Sequence, residues 1–245
     1  MDLLAVGLPA VGFATAMLSG VAGIGGGTVL IGALYALGLS PPVAVPLHAA
    51  IQAASNGSRA VAFHRDVEWR ASGWFLLGAL PAPFLIGPVA GRANLHVIEL
   101  LLAAVIFVSV LPEPKDEARL PLRWAMVLAG ALATGLGMFT GAVGLFVGRL
   151  FLRPEWKKET VIGTLALCQV LGHLLKIAGY GVAGFSVLAR PDLLVPLLIA
   201  VVAGTAAAKY LHQYLDEQRF RKVFRAVLLI LALKLAWDGV TGLLL

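Results

Sequence analysis

The sequence predicts an all-α integral membrane protein with about eight to ten membrane segments in two inverted repeats, including glycine-broken or re-entrant helices. Three observations support this fold class. Of the 245 residues, 60% are hydrophobic and only 13% are charged, whereas a soluble domain carries about 25% charged residues. The apolar residues fall into long runs, and clusters of glycine interrupt two of these runs. One strongly polar break lies near the middle of the chain.

The apolar runs define ten segments along the chain. They span residues 3–18, 26–39, 44–63, 71–89, 96–111, 122–138, 141–152, 160–178, 191–208 and 223–244. Several of them are shorter than the ~20 residues that a helix needs to cross a bilayer. Glycine-rich turns join the first segment to the second and the sixth to the seventh. These pairs are either short tilted spans or re-entrant hairpins, and the sequence leaves both open.

The polar break covers residues 112–121, which read PEPKDEARLP. Its prolines and charges are typical of a linker. We therefore divide the chain into a first transmembrane repeat at 1–111, a cytoplasmic linker at 112–121 and a second transmembrane repeat at 122–245. Each repeat holds five segments. Because five is odd, the second repeat enters the membrane from the opposite side, which is the inverted architecture of many transporters.

The basic residues are distributed unevenly between the two sides of the membrane. Most lie on the side of the linker: Arg65, Arg70, Lys115, Arg119, Arg123, Arg149, Arg153, Lys157, Lys158, Lys209, Arg219, Arg221, Lys222 and Arg225. The opposite side holds Arg92 and Arg190. Because cytoplasmic loops carry the excess of Lys and Arg, the linker side is predicted to be cytoplasmic, with both termini outside.

The first glycine cluster lies in the run LSGVAGIGGGTVLI, which starts at Leu18. Since no Lys follows the glycines, the run does not form a phosphate-binding loop. Glycine lets the backbone leave a helix, and broken backbone inside a membrane lines a binding cavity or is buried in protein. Close helix packing is the alternative. The candidate site residues are Gly23, Gly25, Gly26 and Gly27, with a weaker second set at Thr140, Gly141 and Gly144.

Sliding the chain on itself by 117 residues aligns polar positions of the two halves. Gly27 then meets Gly144, and the trio Gln52, Asn56 and Arg59 meets the trio Gln169, His173 and Lys176. The common offsets of four and seven residues place each trio on one face of a helix. We expect the trios to face each other across a pseudo-twofold axis and to form the substrate site.

The chemistry of the two trios is that of anion binding. Amides donate hydrogen bonds, and a cation near the centre of a membrane helix costs about 2.5–3.5 kcal/mol, so it is rarely idle. We expect Arg59 toward the cytoplasmic mouth and Lys176 toward the outer mouth. Snorkelling of both cations, helix-joining amides and a packing role for His173 are the alternatives. No Asp or Glu occupies the centre of any segment, which disfavours a cation carrier.

The sequence resembles the TauE/SafE family of sulfite exporters. The resemblance rests on SGVAGIGGG from Ser19, on the Ala/Ser/Asn-rich segment 44–63 with its polar tail HRDV, and on the degenerate copy GLGMFTGAVG from Gly135. It implies a fold of membrane helices and transport of small anions, chiefly sulfite and organosulfonates such as sulfoacetate, without ATP. Phe139 and Thr140 depart from the glycine-rich pattern in the second copy.

Together these features predict a secondary transporter of the cell (inner) membrane that moves a small anion by alternating access. A permease of another class, exporting a cation or a neutral metabolite, is the alternative. No enzyme motif is present, and neither cofactor, bound metal nor nucleic acid is expected. The partners are the anionic substrate and the lipid bilayer. A coupling ion, H⁺ or Na⁺, and a homodimeric assembly are left open by the sequence.

Overall fold

A computed structural model describes residues 3–22, 25–111, 120–211 and 217–244. Over these residues the chain is helical, and no strand occurs among them. The helices are α1 (Leu3–Ala22), α2 (Gly26–Ala36), α3 (Pro41–Ala62), α4 (Trp69–Ala79), α5 (Pro81–Ala90), α6 (Leu95–Val110), α7 (Leu122–Thr140), α8 (Gly144–Val147), α9 (Lys158–Val182), α10 (Pro191–Leu211) and α11 (Glu217–Leu244). The predicted all-α class is confirmed.

Four of these helices are long and apolar enough to cross a membrane within the described residues. They are α7, α9, and the stretches Pro191–Ala208 of α10 and Lys222–Leu244 of α11. The pair α4 and α5 adds a fifth span if both helices are counted as one. Shorter apolar helices include α2 and α6. The chain is therefore a multi-pass membrane protein.

The predicted segment 71–89 is bent rather than straight. Its two helices meet at an angle of 42°. The bend falls at Leu80, directly before Pro81, which begins α5. Because proline has no N–H and clashes with the preceding turn, it ends or kinks a helix at this point.

The predicted segment 141–152 contains only a short helix. The four residues of α8 are followed by a 3₁₀ turn at Gly148–Phe151. Arg149 in this turn donates hydrogen bonds to the carbonyl oxygens of Ser109 at 2.8 Å and Leu111 at 2.7 Å. The turn is thereby tied to the end of α6, and the segment is far shorter than the ~20 residues of a span.

The helices of the two halves pack on one another in a reciprocal pattern. The first helix of each half packs on the fourth segment of the other half: α1 on α10, and α7 on α4 and α5. The third segments pair as α3 with α9, and the fifth as α6 with α11. Two bodies related by a twofold axis make contacts of this kind. The inverted relation and the domain boundaries stay predictions, and this packing is compatible with them.

Helices α3 and α9 form the centre of the molecule and run in opposite directions. Near the start of α3, the His48 ring lies against the ring of His173, late in α9. Near the end of α3, a Cβ at Gly163, early in α9, would lie 2.8 Å from the carbonyl oxygen of Phe63. The two helices therefore pack antiparallel, with polar residues of both in contact at His48 and His173.

Candidate functional site

A cavity of about 70 Å³ lies between α3 and α9. Since a cavity needs roughly 10–15 Å³ to hold one water, this one has room for a small polyatomic ion. Both predicted trios contribute to its wall: Gln52, Asn56, Arg59, Gln169, His173 and Lys176. The structure thus brings the predicted polar residues together, and their role in binding substrate stays a prediction.

Two glycine breaks border the cavity. Gly25, before α2, has a φ of 103°, and Gly141, after α7, has a φ of 75°. Both values lie in the left-handed region, which glycine adopts without the strain of a side chain. A Cβ at Gly25 would lie 2.8 Å from Leu145 of α8, and one at Gly141 would lie 2.5 Å from Ile31 of α2. The predicted glycine-broken helices are present. The break at Gly25 packs against α8, and the break at Gly141 packs against α2.

A side-chain amide of the cavity wall also lies against each glycine break. A Cβ at Gly27 would lie 2.9 Å from Cδ of Gln52, and one at Gly144 would lie 2.9 Å from Nε2 of Gln169. These glycines leave room for the side-chain amides, which stand directly against them. The two contacts are related by the offset of 117 residues found in the sequence. The same contact between a glycine and a glutamine amide therefore occurs once in each half.

Lys176 is buried in the wall of the cavity. Its side chain is buried, with 3% of the residue exposed. Its ammonium donates a hydrogen bond to the carbonyl oxygen of Gly141 at 2.6 Å. Snorkelling to the surface is therefore excluded for this residue, and its expected place toward the outer mouth stays a prediction. Gly141, predicted as a substrate ligand, contacts Lys176 through its carbonyl oxygen.

Arg59 and Gly26 lie at a second, smaller cavity. It has a volume of about 20 Å³ and shares Gln52 and Arg59 with the main cavity. Arg59 is half-buried in the last turn of α3. Gly26 is buried at the start of α2 and lines the smaller cavity but not the main one. Arg59 thus connects the main cavity to a neighbouring space near the end of its helix.

Thr140 is a predicted site residue that the structure does not bring to the cavity. Its side chain is fully buried, and its hydroxyl donates to the carbonyl oxygen of Leu136 at 3.0 Å, within α7. A threonine in a helix often satisfies its hydroxyl in this way. Gly23, also predicted, lies outside the described residues, as do residues 112–119 of the linker.

His48 belongs to the cavity although it was not among the predicted site residues. It is fully buried, and its Nε2 lies 2.9 Å from the carbonyl oxygen of Gly27. Its position four residues before Gln52 places it on the same helix face. From this spacing the sequence predicts that His48 extends the polar face of α3. The alignment of the two halves does not identify it as a site residue, because the second half carries Leu165 at the equivalent position.

The electrostatic character of the cavity is positive. Arg59 and Lys176 line it, and none of the described residues in its wall is an Asp or Glu. The amides of Gln52, Asn56 and Gln169 can each donate hydrogen bonds. Apolar side chains, including Phe75 and Phe151, complete the wall. Such a combination can hold an anion out of contact with lipid.

A polar cavity lined by basic side chains between the helices of a multi-pass membrane protein is characteristic of membrane transport proteins, since intramembrane charges mark substrate pathways. The family model described as sulfite exporter TauE/SafE matches residues 8–235, and the chain belongs to this family. Its members are membrane transporters of sulfur anions and not enzymes. Comparison with curated proteins and with solved structures gave no match.

Proposed function

We propose that this protein is a secondary transporter that moves sulfite or an organosulfonate such as sulfoacetate across the cytoplasmic (inner) membrane by alternating access. The observation that carries the proposal is the cavity between α3 and α9. Three amides and two cations line it, and no carboxylate occurs among the described residues of its wall. Sulfur oxyanions carry negative charge on oxygens that accept hydrogen bonds, so they match these donors.

The amides of Gln52 and Gln169 are the groups that we expect to hold the oxyanion. Each amide can turn its NH₂ group toward a bound oxygen. Gly27 and Gly144 leave room directly behind the amides, so each amide lies against a helix break. Lys176 supplies a buried positive charge, whose attraction for an anion is stronger than in water because the local dielectric constant is low.

Alternating access is supported by the way in which the halves share the site. One amide comes from α3 of the first half and the other from α9 of the second half. Rocking of one half against the other would expose a shared central site first to one side and then to the other. The reciprocal packing of α1 on α10 and of α7 on α4 and α5 suits such a movement.

The alternative of a cation exporter receives less support. Amide oxygens can bind cations, but Lys176 and Arg59 in the same wall would repel them. A cation would also lack a carboxylate partner among the described lining residues. Buried charge without a partner is costly, so the cavity favours an anion.

Uptake into proteoliposomes tests the proposal. Radiolabelled sulfite, sulfoacetate, sulfate and taurine are offered separately to the purified protein, with protein-free liposomes as the blank. We expect uptake of sulfite or sulfoacetate above the blank, and its loss in the double variant Gln52→Ala, Gln169→Ala. No uptake of any sulfur anion, together with uptake of a cation or neutral metabolite, would contradict the proposed function.

A further inference from the structure

Two buried imidazoles meet in the cavity with unpaired nitrogens. His48 has no exposed surface and His173 is 8% exposed. Their ring centroids are 5.5 Å apart in an edge-to-face arrangement. The Nδ1 atom of each ring is buried and has no hydrogen-bond partner. Because an unpaired buried polar atom costs about 1–3 kcal/mol, two of them side by side call for an explanation.

The tautomer of His48 follows from its one hydrogen bond. Its Nε2 lies 2.9 Å from the carbonyl oxygen of Gly27. A carbonyl oxygen only accepts, so Nε2 must carry the hydrogen, and Nδ1 of the neutral ring is a bare lone pair. An oxyanion also offers only lone pairs. A neutral His48 therefore presents the wrong polarity at Nδ1, whereas a protonated ring presents a donor.

We propose that His48 and His173 form a proton-binding site that takes up one proton together with each anion, so that anion and proton cross the membrane in the same direction. This inference rests on the proposed function. The proton comes from water on the loading side, binds a ring nitrogen lone pair without breaking any other bond, and returns to water on the other side. No oxidant, reductant or further reactant takes part.

Lys176 gives the coupling its physical basis. It lines the same cavity as both rings and lies three residues after His173 on α9, so like-charge repulsion opposes a further positive charge there. A bound anion removes this opposition, because its negative charge attracts the proton. Each ligand therefore strengthens the binding of the other by the same factor. Since the rings belong to different halves, relative movement of the halves changes their separation and can release the proton.

The other titratable groups on the packed helices, apart from the cavity-lining Lys176 and Arg59, lie outside the cavity wall. Tyr35 of α2 and Tyr180 of α9 donate hydrogen bonds to the carbonyl oxygens of Phe139 and Met138. Cys168 lies 3.8 Å from the hydroxyl of Ser72. Arg59 lines the cavity, and Arg149 is bonded to the end of α6. Glu68, just before α4, is half-buried. The following described groups are exposed: His64, Arg65, Asp66, Arg70, Arg123, Lys158, Glu159, Arg190 and Asp192.

Titration calorimetry of the purified full chain with sulfoacetate tests the inference. Sulfoacetate is chosen because sulfite itself exchanges a proton near neutral pH. Repeating the titration in buffers of different ionisation enthalpy gives the number of protons taken up per anion. We expect about one proton in the wild type, with affinity falling about tenfold per pH unit on the alkaline side. His48→Gln and His173→Gln should each reduce both effects. His64→Gln, at an exposed imidazole, is the matched control and should leave both effects unchanged.

The outcomes separate this inference from the proposed function. Binding of sulfoacetate by the wild type without proton uptake would overturn the proton site and leave the anion transporter standing. Full proton uptake in both glutamine variants would show that another group, such as Lys176, binds the proton. It would overturn the assignment to the histidines. Failure of both sulfoacetate and sulfite to bind would overturn the proposed function and this inference with it. The wild-type measurement decides even if a variant fails to fold.

Discussion

The ammonium of Lys176 donates a hydrogen bond to the carbonyl oxygen of Gly141 at 2.6 Å. This bond joins the buried cation of α9 to the glycine break that follows α7. The break and the charge are thus one structural unit, at the wall of the cavity. A change in the position of α9 relative to α7 must therefore stretch this bond or move the break.

Replacing Lys176 by methionine should weaken anion binding from either side of the membrane. Methionine keeps most of the length of the side chain and removes the charge. We expect the dissociation constant for sulfoacetate to rise at least about tenfold, equivalent to about 1.4 kcal/mol. Calorimetry measures the change. Lys158→Met, at an exposed lysine in the first turn of the same helix, is the control. An unchanged affinity in Lys176→Met would show that this charge does not act on the substrate.

Gly27→Ala and Gly144→Ala should weaken binding with little effect on stability. Each new methyl group would lie 2.9 Å from an atom of the amide of Gln52 or Gln169. These amides end flexible side chains, so they can swing away at small cost, but they then leave their position in the cavity. Gly57→Ala is the matched control on α3, since nothing lies within 4 Å of its Cβ. Equal transport by all three variants would assign these glycines to helix packing alone.

Gln52→Ala and Gln169→Ala should each raise the dissociation constant for the anion, and by similar factors. A hydrogen bond to a charged group is worth about 1.5–3 kcal/mol, which corresponds to roughly ten- to 150-fold in affinity. Because both amides line one central cavity, the loss should be the same for uptake and for efflux. Counterflow in vesicles measures both directions. A loss confined to one direction would place that amide at a gate and not at the binding site.

The polar trios of α3 and α9 could be predicted because their spacing is a property of one helix at a time. Offsets of four and seven residues put Gln52, Asn56 and Arg59 on one face whatever the tertiary structure. The contact of His48 with His173 could not be predicted in this way. Alignment at a constant offset pairs residues at equivalent positions of α3 and α9. In the packed antiparallel pair, a residue near the start of one helix instead contacts a residue near the end of the other. The crossing point that decides such contacts is absent from the sequence.

The apolar stretch after Gly141 shows a second limit of sequence analysis. Hydropathy predicts a membrane segment at 141–152, but the structure has a short helix and a turn there. The turn is tied to the end of α6 through Arg149, a long-range contact with no local signal. Thr140 is a related case, since its hydroxyl donates to the carbonyl oxygen of Leu136 in its own helix and the residue does not line the cavity.

Cysteine labelling tests the predicted topology. The charge bias predicts a cytoplasmic linker and a C-terminus outside. A cysteine introduced as Lys115→Cys should react only with a reagent that reaches the cytoplasm, and one added after Leu245 only with a reagent supplied from outside. The native Cys168 is buried, so it contributes little background. Labelling of both positions from the same side would refute the inverted arrangement.

Arg59→Gln should act mainly on one side of the membrane, in contrast to Lys176→Met. Arg59 is half-buried in the last turn of α3 and lines both the main and the smaller cavity. The charge bias predicts that this end of α3 faces the cytoplasm.

A cation at one entrance raises the local concentration of anions there, so its removal should weaken binding from the cytoplasm more than from outside. The difference should shrink with added salt, because screening acts over about 8 Å at physiological ionic strength. Sided affinities in oriented vesicles measure the effect, with Arg65→Gln at an exposed neighbouring arginine as the control. Equal losses from both sides at every salt concentration would place Arg59 with the central amides and remove its role at the entrance.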